Sequence, residues 1–142
     1  MKVIVDTCVW SLALRRRNLA TSPVAQELER LIKEFRVQMI GPIRQEILSG
    51  IRSKAQFNSL KDHLSNFPDL PITTEDFERA AEFFNLCRAK GVQGSNTDFL
   101  ICAVAERSNC TLFTTDKDFY LYSKHIPVKL HHSKTEKTIV ES

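Results

Sequence analysis

Four acidic side chains stand where the chain leaves an apolar run or begins a helix. Asp6 ends Val3-Ile4-Val5, Glu46 follows the break Gly41-Pro42, Asp98 opens a run of small and apolar residues, and Asp116 follows Leu112-Phe113-Thr114-Thr115. Singly, each has an ordinary role, because Asp and Glu at helix amino termini accept free N–H groups and favour the dipole. Glu46 fits that role least well, being the single carboxylate in a basic stretch and opposite the apolar positions Ile43 and Ile47. Jointly they describe a centre. Carboxylates converging on one rim repel one another unless a cation neutralises them, and hard oxygen donors with room for water suit Mg²⁺ or Mn²⁺. Such a centre activates water and stabilises charge on a phosphoryl group, so phosphodiester hydrolysis is the chemistry implied. Asp6, Asp98 and Asp116 are the expected ligands, with Glu46 bound directly or through water. Thr7, Asn96 and Thr115 flank them as candidates to orient the acids, although turn formation explains each equally well.

A phosphodiester substrate also needs its backbone held. Between Phe35 and Lys61 lie Arg36, Arg44, Arg52, Lys54 and Lys61 against Glu46 alone, and Arg44, Arg52 and Lys54 are placed to contact the substrate's backbone phosphates. Arg15-Arg16-Arg17 form a second basic run. The bland reading of both runs is solvated helix faces.

These residues must be carried by elements that the periodicity predicts. Lys2–Val5 reads as a buried strand, followed by a helical stretch through Trp10 and Leu14. Ser22-Pro23 starts a helix whose apolar face is Val24, Leu28, Leu31, Ile32 and Phe35, and a second strand follows over Val37–Ile40. Further helices are expected over Ile43–Ser49, stopped by Gly50, over Lys54–Asn66, and from Thr73 to Gly91 with a stripe of Phe77, Ala80, Ala81, Phe84 and Cys87. That stripe reads as core or as a dimer face. Residues 91–97 read as a loop, with Asn96 or Thr97 capping a helix over Asp98–Ser108. A strand over Thr111–Thr114, a turn at Asp116-Lys117-Asp118 into a short helix through Tyr122, and a last strand over Val128–Leu130 complete the order. Strands alternating with helices imply right-handed crossovers and a parallel sheet covered on both faces. The expected architecture is a three-layer α/β/α sandwich. In such a sheet ligands bind beyond the carboxyl ends of the strands, where the four acids fall. Trp10 and Phe99 lie near that rim, where an aromatic ring could stack on a base, but both read as core.

The 142 residues, 42% hydrophobic and 26% charged, describe a single domain over residues 1–132 with a polar tail over 133–142. A net charge of +3 is too mild to demand a polyanionic partner. No apolar stretch is long enough to cross a bilayer, and Asp6 interrupts any signal-peptide core, so a cytoplasmic protein is expected. Cys8, Cys87, Cys102 and Cys110 have no paired spacing, which fits a reducing compartment, and with the four histidines they supply no zinc motif; His131-His132 read as a solvated strand edge.

Four segments carry a resemblance: Val-Ile-Val-Asp-Thr at 3–7, Gly-Pro-Ile-Arg-Gln-Glu-Ile-Leu-Ser-Gly at 41–50, Thr-Asp-Phe-Leu-Ile-Cys-Ala-Val-Ala at 97–105 and Leu-Phe-Thr-Thr-Asp-Lys-Asp-Phe at 112–119. In order and spacing they resemble the PIN-domain ribonucleases, and among them the VapC-type toxins of bacterial toxin–antitoxin pairs. The resemblance implies a Rossmann-like PIN fold with a mostly parallel sheet. It also implies endonucleolytic RNA cleavage with Mg²⁺ or Mn²⁺ at Asp6, Glu46, Asp98 and Asp116, where Asp118 matches a frequent additional acid and Thr115 a frequent hydroxyl neighbour. A homodimer and a cognate antitoxin protein are the partners implied.

Other classes fit less well. An aspartyl phosphotransferase with a second acid two residues after the first would need an acid where Cys8 stands, and a receiver domain would need an Asp where Ile40 runs into Gly41. An RNA-processing nuclease outside a toxin pair shares the same acids. A non-catalytic RNA-binding module would not require Glu46.

Overall fold

The structure, a computed structural model, describes residues 1–15 and 22–132. The order of elements is β1 (Val3–Val5), α1 (Thr7–Arg15), α2 (Pro23–Lys33), β2 (Val37–Gln38), α3 (Gly41–Leu48), α4 (Lys54–Leu64), α5 (Thr74–Ala89), α6 (Asn96–Ser108), β3 (Thr111–Phe113) and α7 (Lys117–Tyr122). The basic run at Arg15-Arg16-Arg17, apart from the backbone of Arg15, and the tail at 133–142 lie outside the described residues.

The sheet has the order β2-β1-β3, and both pairings are parallel. Val3 stands opposite Val37 and Thr111, Ile4 opposite Gln38 and Leu112, and Val5 opposite Phe113. Successive strand side chains point to opposite faces, and Val3, Ile4 and Val5 are all buried, so both faces of the central strand are covered. This is the α/β architecture expected, with helices enclosing a parallel sheet.

Local chemistry sets the helix ends. Ser22 Oγ accepts from Ala25 N–H with Pro23 in the first turn, and Thr73 and Asp76 form a reciprocal capping box at α5. Gly91 ends α5 at φ +78°, where an L side chain would be strained, and lets Val92 N–H reach back to Cys87 C=O.

Several expectations are corrected. Phe35 does not join the apolar face of α2. Its backbone takes the left-handed region, φ +56°, directly after the helix end, and this carries the ring off the stripe to 86% exposure. The second strand shortens to Val37–Gln38, with Met39 making an isolated bridge to Asp69, and Val128–Leu130 contributes only a bridge from Leu130 to Leu112. On α5 the buried stripe is Asp76, Ala80, Phe83 and Cys87, and Phe77 and Ala81 face outward. Asp76 is tolerated inside because Arg107 donates to it at 2.7 Å. Ser95, rather than Asn96 or Thr97, caps α6. Helix α6 is buried on most of its surface through Phe99, Ile101, Cys102, Ala103, Val104 and Ala105. Trp10 and Phe99 are core residues as expected, each 1% exposed. All four cysteines are free thiols.

Candidate active site

Asp6 is the first residue beyond β1. Its N–H continues the ladder to Phe113 C=O at 2.9 Å, and its C=O accepts from Val9 and Trp10 N–H, so one residue ends the strand and starts α1. The carboxylate is nearly buried. Oδ1 accepts from Thr7 N–H at 2.8 Å and Oδ2 from Thr114 Oγ1 at 2.8 Å. Thr114, just past β3 and also buried, accepts in turn from Asp116 N–H at 3.0 Å. A single hydroxyl thereby ties the acid after β1 to the acid after β3. The Cys8 thiol reinforces the junction, 3.5 Å from both Asp6 Oδ2 and Thr114 Oγ1, and it accepts from Thr115 N–H at 3.4 Å.

Asp116 caps α7, its Oδ1 accepting from Asp118 N–H at 2.9 Å. Asp118 is exposed in the first turn of that helix. Glu46, exposed on α3 opposite the buried Ile43 and Ile47, is reached by Thr7 Oγ1 at 3.0 Å. Thr7 therefore bridges Asp6 and Glu46 through its N–H and its hydroxyl. Asp98 lies in the first turn of α6, where its N–H donates to Ser95 Oγ at 3.1 Å. Its Oδ2 accepts from the buried phenol of Tyr122 on α7 at 2.8 Å.

The electrostatics join the three aspartates. Burial pushes the Asp98 carboxyl above the ordinary carboxylate range, and repulsion from Asp116 and Asp6 adds to the rise, against the hydrogen bonds from Tyr122 and Ser95. The Cys102 thiol, one turn further along α6, is pushed up by burial and then by the charges of Asp98 and Asp6. Among the described residues no three His, Cys, Asp or Glu side chains close into a cage around one point. The donors are nevertheless all hard carboxylate oxygens, a chemistry that fits a divalent cation bound with water.

The structure brings Asp6, Asp98 and Asp116 into one electrostatic group and links Glu46 to it through Thr7. It gives the remaining expected residues different places. Asn96 is exposed at the first position of α6, and Thr115 contributes its backbone N–H. Arg52 and Lys54 are exposed before and at the start of α4. Arg44 is corrected. Its guanidinium is held by Asp69 and by the carbonyls of Leu64 and Phe67, so its donors are committed to the end of α4 and the connection beyond it. Thr114 and Tyr122 are the site residues that the sequence reading missed. Thr114 carried a signal, a hydroxyl ending an otherwise apolar buried strand; Tyr122 carried none, because its partner is fixed only by packing.

A family model for the PIN domain matches residues 3–124. Ribonuclease VapC11 of Mycobacterium tuberculosis is 32% identical over 121 residues, covering 82% of this chain and 88% of that protein. Among solved structures, FitAcB from Neisseria gonorrhoeae superposes with a TM-score of 0.72 at 22% identity, covering 92% of this chain and 96% of that one. VapBC2 from Rickettsia felis, bound to a DNA fragment from its promoter, gives 0.72 at 21% identity and covers 94% of this chain and 100% of the other. These two show the same fold, and with the family match and the VapC relative they place this chain in the PIN-domain family, among the VapC ribonucleases.

Proposed function

We propose that the chain is a Mg²⁺- or Mn²⁺-dependent endoribonuclease that hydrolyses RNA phosphodiester bonds, and that it acts as the toxin of a toxin–antitoxin pair. Asp6, Asp98 and Asp116 would hold the cation, with Glu46 directly or through water and Asp118 as an additional acid. Bound there, a divalent cation supplies Lewis acidity, lowering the pKa of water and offsetting charge that builds on the phosphate. The chain's own residues prepare the site. Thr114 fixes the direction of Asp6 and the start of the Asp116 loop with one hydroxyl, and Thr7 holds Glu46 toward the same rim. Arg52 and Lys54, exposed beyond the helix that carries Glu46, are the basic residues left to hold RNA phosphates.

The observation that carries this reading is the hydrogen-bond chain that joins the acids: the Thr114 hydroxyl donates to Asp6 and accepts from the Asp116 N–H, Thr7 joins Asp6 to Glu46, and α7, capped by Asp116, reaches Asp98 through Tyr122. The kinship with a protein named ribonuclease VapC11 supports RNA as the substrate class; a protein antitoxin and a second copy of this chain are the partners proposed with it. No helix among the described residues is long and apolar enough to cross a membrane, which accords with a cytoplasmic site of action.

The test is cleavage of labelled total RNA by the purified protein, freed of any bound inhibitor, in Mg²⁺ or Mn²⁺ and in EDTA, beside Asp98→Asn. Discrete bands that need the metal and vanish in the variant are expected. Equal cutting by a folded Asp6→Asn/Asp98→Asn double variant would sink the assignment of these acids.

A further inference from the structure

We propose that Tyr122 is the positioning residue that orients Asp98 toward the divalent cation, and that residue 94 is glycine because this phenol must pass it. The inference rests on the metal reading above and adds to it a device of this chain's own.

An aspartate carboxylate turns freely about its last torsion, which is broad rather than staggered, so a carboxylate that must point one way needs a second anchor. Asp6 has one in Thr114 Oγ1, and Asp116 has one in Asp118 N–H. The Asp98 backbone N–H is already spent on Ser95 Oγ, and the carboxylate is anchored through Oδ2 by the Tyr122 hydroxyl. The phenol is itself immobile. It is 1% exposed, with its ring 4.8 Å from that of Phe99 and 5.3 Å from that of Phe119.

Gly94 supplies the independent observation. Its backbone is not in the left-handed region, so conformation alone does not call for glycine there. A Cβ at this position would collide with the phenol oxygen, lying 2.7 Å from Tyr122 Cζ and 2.9 Å from Phe99 Cε2. Gly50 and Gly91 are the opposite case, with positive φ and open space around the missing side chain. The loop before α6 is therefore shaped to admit the end of this phenol, whose hydroxyl donates to Asp98. Short helix α7 thus serves two acids, capped by Asp116 at its start and bracing Asp98 from Tyr122 near its end.

The experiment measures Mn²⁺ binding by titration calorimetry on the full chain, with a thermal melt and RNA cleavage across a range of Mn²⁺ concentrations, for wild type, Tyr122→Phe, Gly94→Ala and Asp98→Asn. Outer-shell partners of metal ligands are typically worth roughly 10–100-fold in affinity or activity. Tyr122→Phe is expected to bind Mn²⁺ more weakly by that range while melting cooperatively near wild type, and to regain cleavage at high Mn²⁺. Gly94→Ala, which crowds the phenol, is expected to weaken binding in the same direction. Affinity within twofold of wild type in Tyr122→Phe, or a cleavage loss that added Mn²⁺ does not restore, overturns the inference and leaves the metal reading standing. Loss of the cooperative melt in Tyr122→Phe assigns the residue to the core alone and overturns it too. Wild-type protein that binds no Mn²⁺, or Asp98→Asn that binds as well as wild type, overturns both readings.

Discussion

Thr114 carries more of the site than its size suggests. Its hydroxyl gives a hydrogen to the nearly buried Asp6 and takes one from the Asp116 backbone, and it is itself buried. Thr114→Val keeps the shape and removes both bonds, leaving Asp6 Oδ2 with only the weak Cys8 thiol and the Asp116 N–H without its acceptor, an imbalance worth about 1–3 kcal/mol. The variant is expected to lose that much in denaturant unfolding and most of its cleavage, and Thr114→Ser is expected to recover both. Asp98 presents the opposite balance, because its carboxylate is half-buried and repelled by Asp6 and Asp116. Asp98→Asn removes the repulsion and keeps an oxygen for Tyr122, so in metal-free buffer it should melt above wild type while cutting no RNA, the trade between activity and stability expected of a strained site. A lower melting temperature would argue against the repulsion. The four acids stood out in the sequence because Asp6 and Asp116 follow strands of a parallel sheet, which gathers its strand ends on one side, and Glu46 and Asp98 lie on the helices that leave or approach it. Thr114 offered only its hydroxyl after a buried strand and Tyr122 offered nothing, since their partners lie 108 and 24 residues away and linear spacing names neither partner.

Arg44 shows how an element can claim a residue whose type suggests a ligand. It projects from α3 onto the end of α4, where the Leu64 and Phe67 carbonyls and the Asp69 carboxylate take up the guanidinium. Carbonyls at a helix end lack partners within the helix, and a planar cation with several donors answers several at once. Arg44→Ala is expected to destabilise the fold by about 1–3 kcal/mol in urea unfolding and to leave the KM for RNA unchanged, a prediction that a raised KM at unaltered stability would defeat. The helices were legible to within a few residues because capping signals at Ser22, Thr73 and Asp116 and the breaks at Gly50 and Gly91 act locally. The faces were less legible. On α5, reading the stripe through Phe77 and Phe84 rotates the helix away from its true inward side, because Asp76, a charged residue, occupies the buried line with Arg107 as its partner. The short strands suffered similarly, since two paired residues and an isolated bridge leave no period to detect.

For the molecule as a whole, the carboxylate rim means that the metal-free fold holds repulsion which a bound cation removes. Binding to the folded chain alone raises stability by mass action, about 2.7 kcal/mol at a hundred times the dissociation constant. Added Mg²⁺ or Mn²⁺ is therefore expected to raise the melting temperature of wild type and to leave an Asp98→Asn/Asp116→Asn variant unmoved; equal shifts in both would place the cation elsewhere. Architecture at this scale was the most readable level, because a chain whose apolar strands are separated by amphipathic helices has few ways to bury both faces of its sheet. The strand order has a further consequence in time. β1 lies between its two neighbours, and the bond from Thr114 to Asp6 spans 108 residues. At synthesis rates of roughly 5–20 residues per second, on the order of 5–20 s pass between the making of the first acid and of the hydroxyl that fixes it. A nascent chain that ends before β3 has the first three acids but neither Thr114 nor Asp116, so the carboxylate rim closes only after the strand that carries its last members has been made.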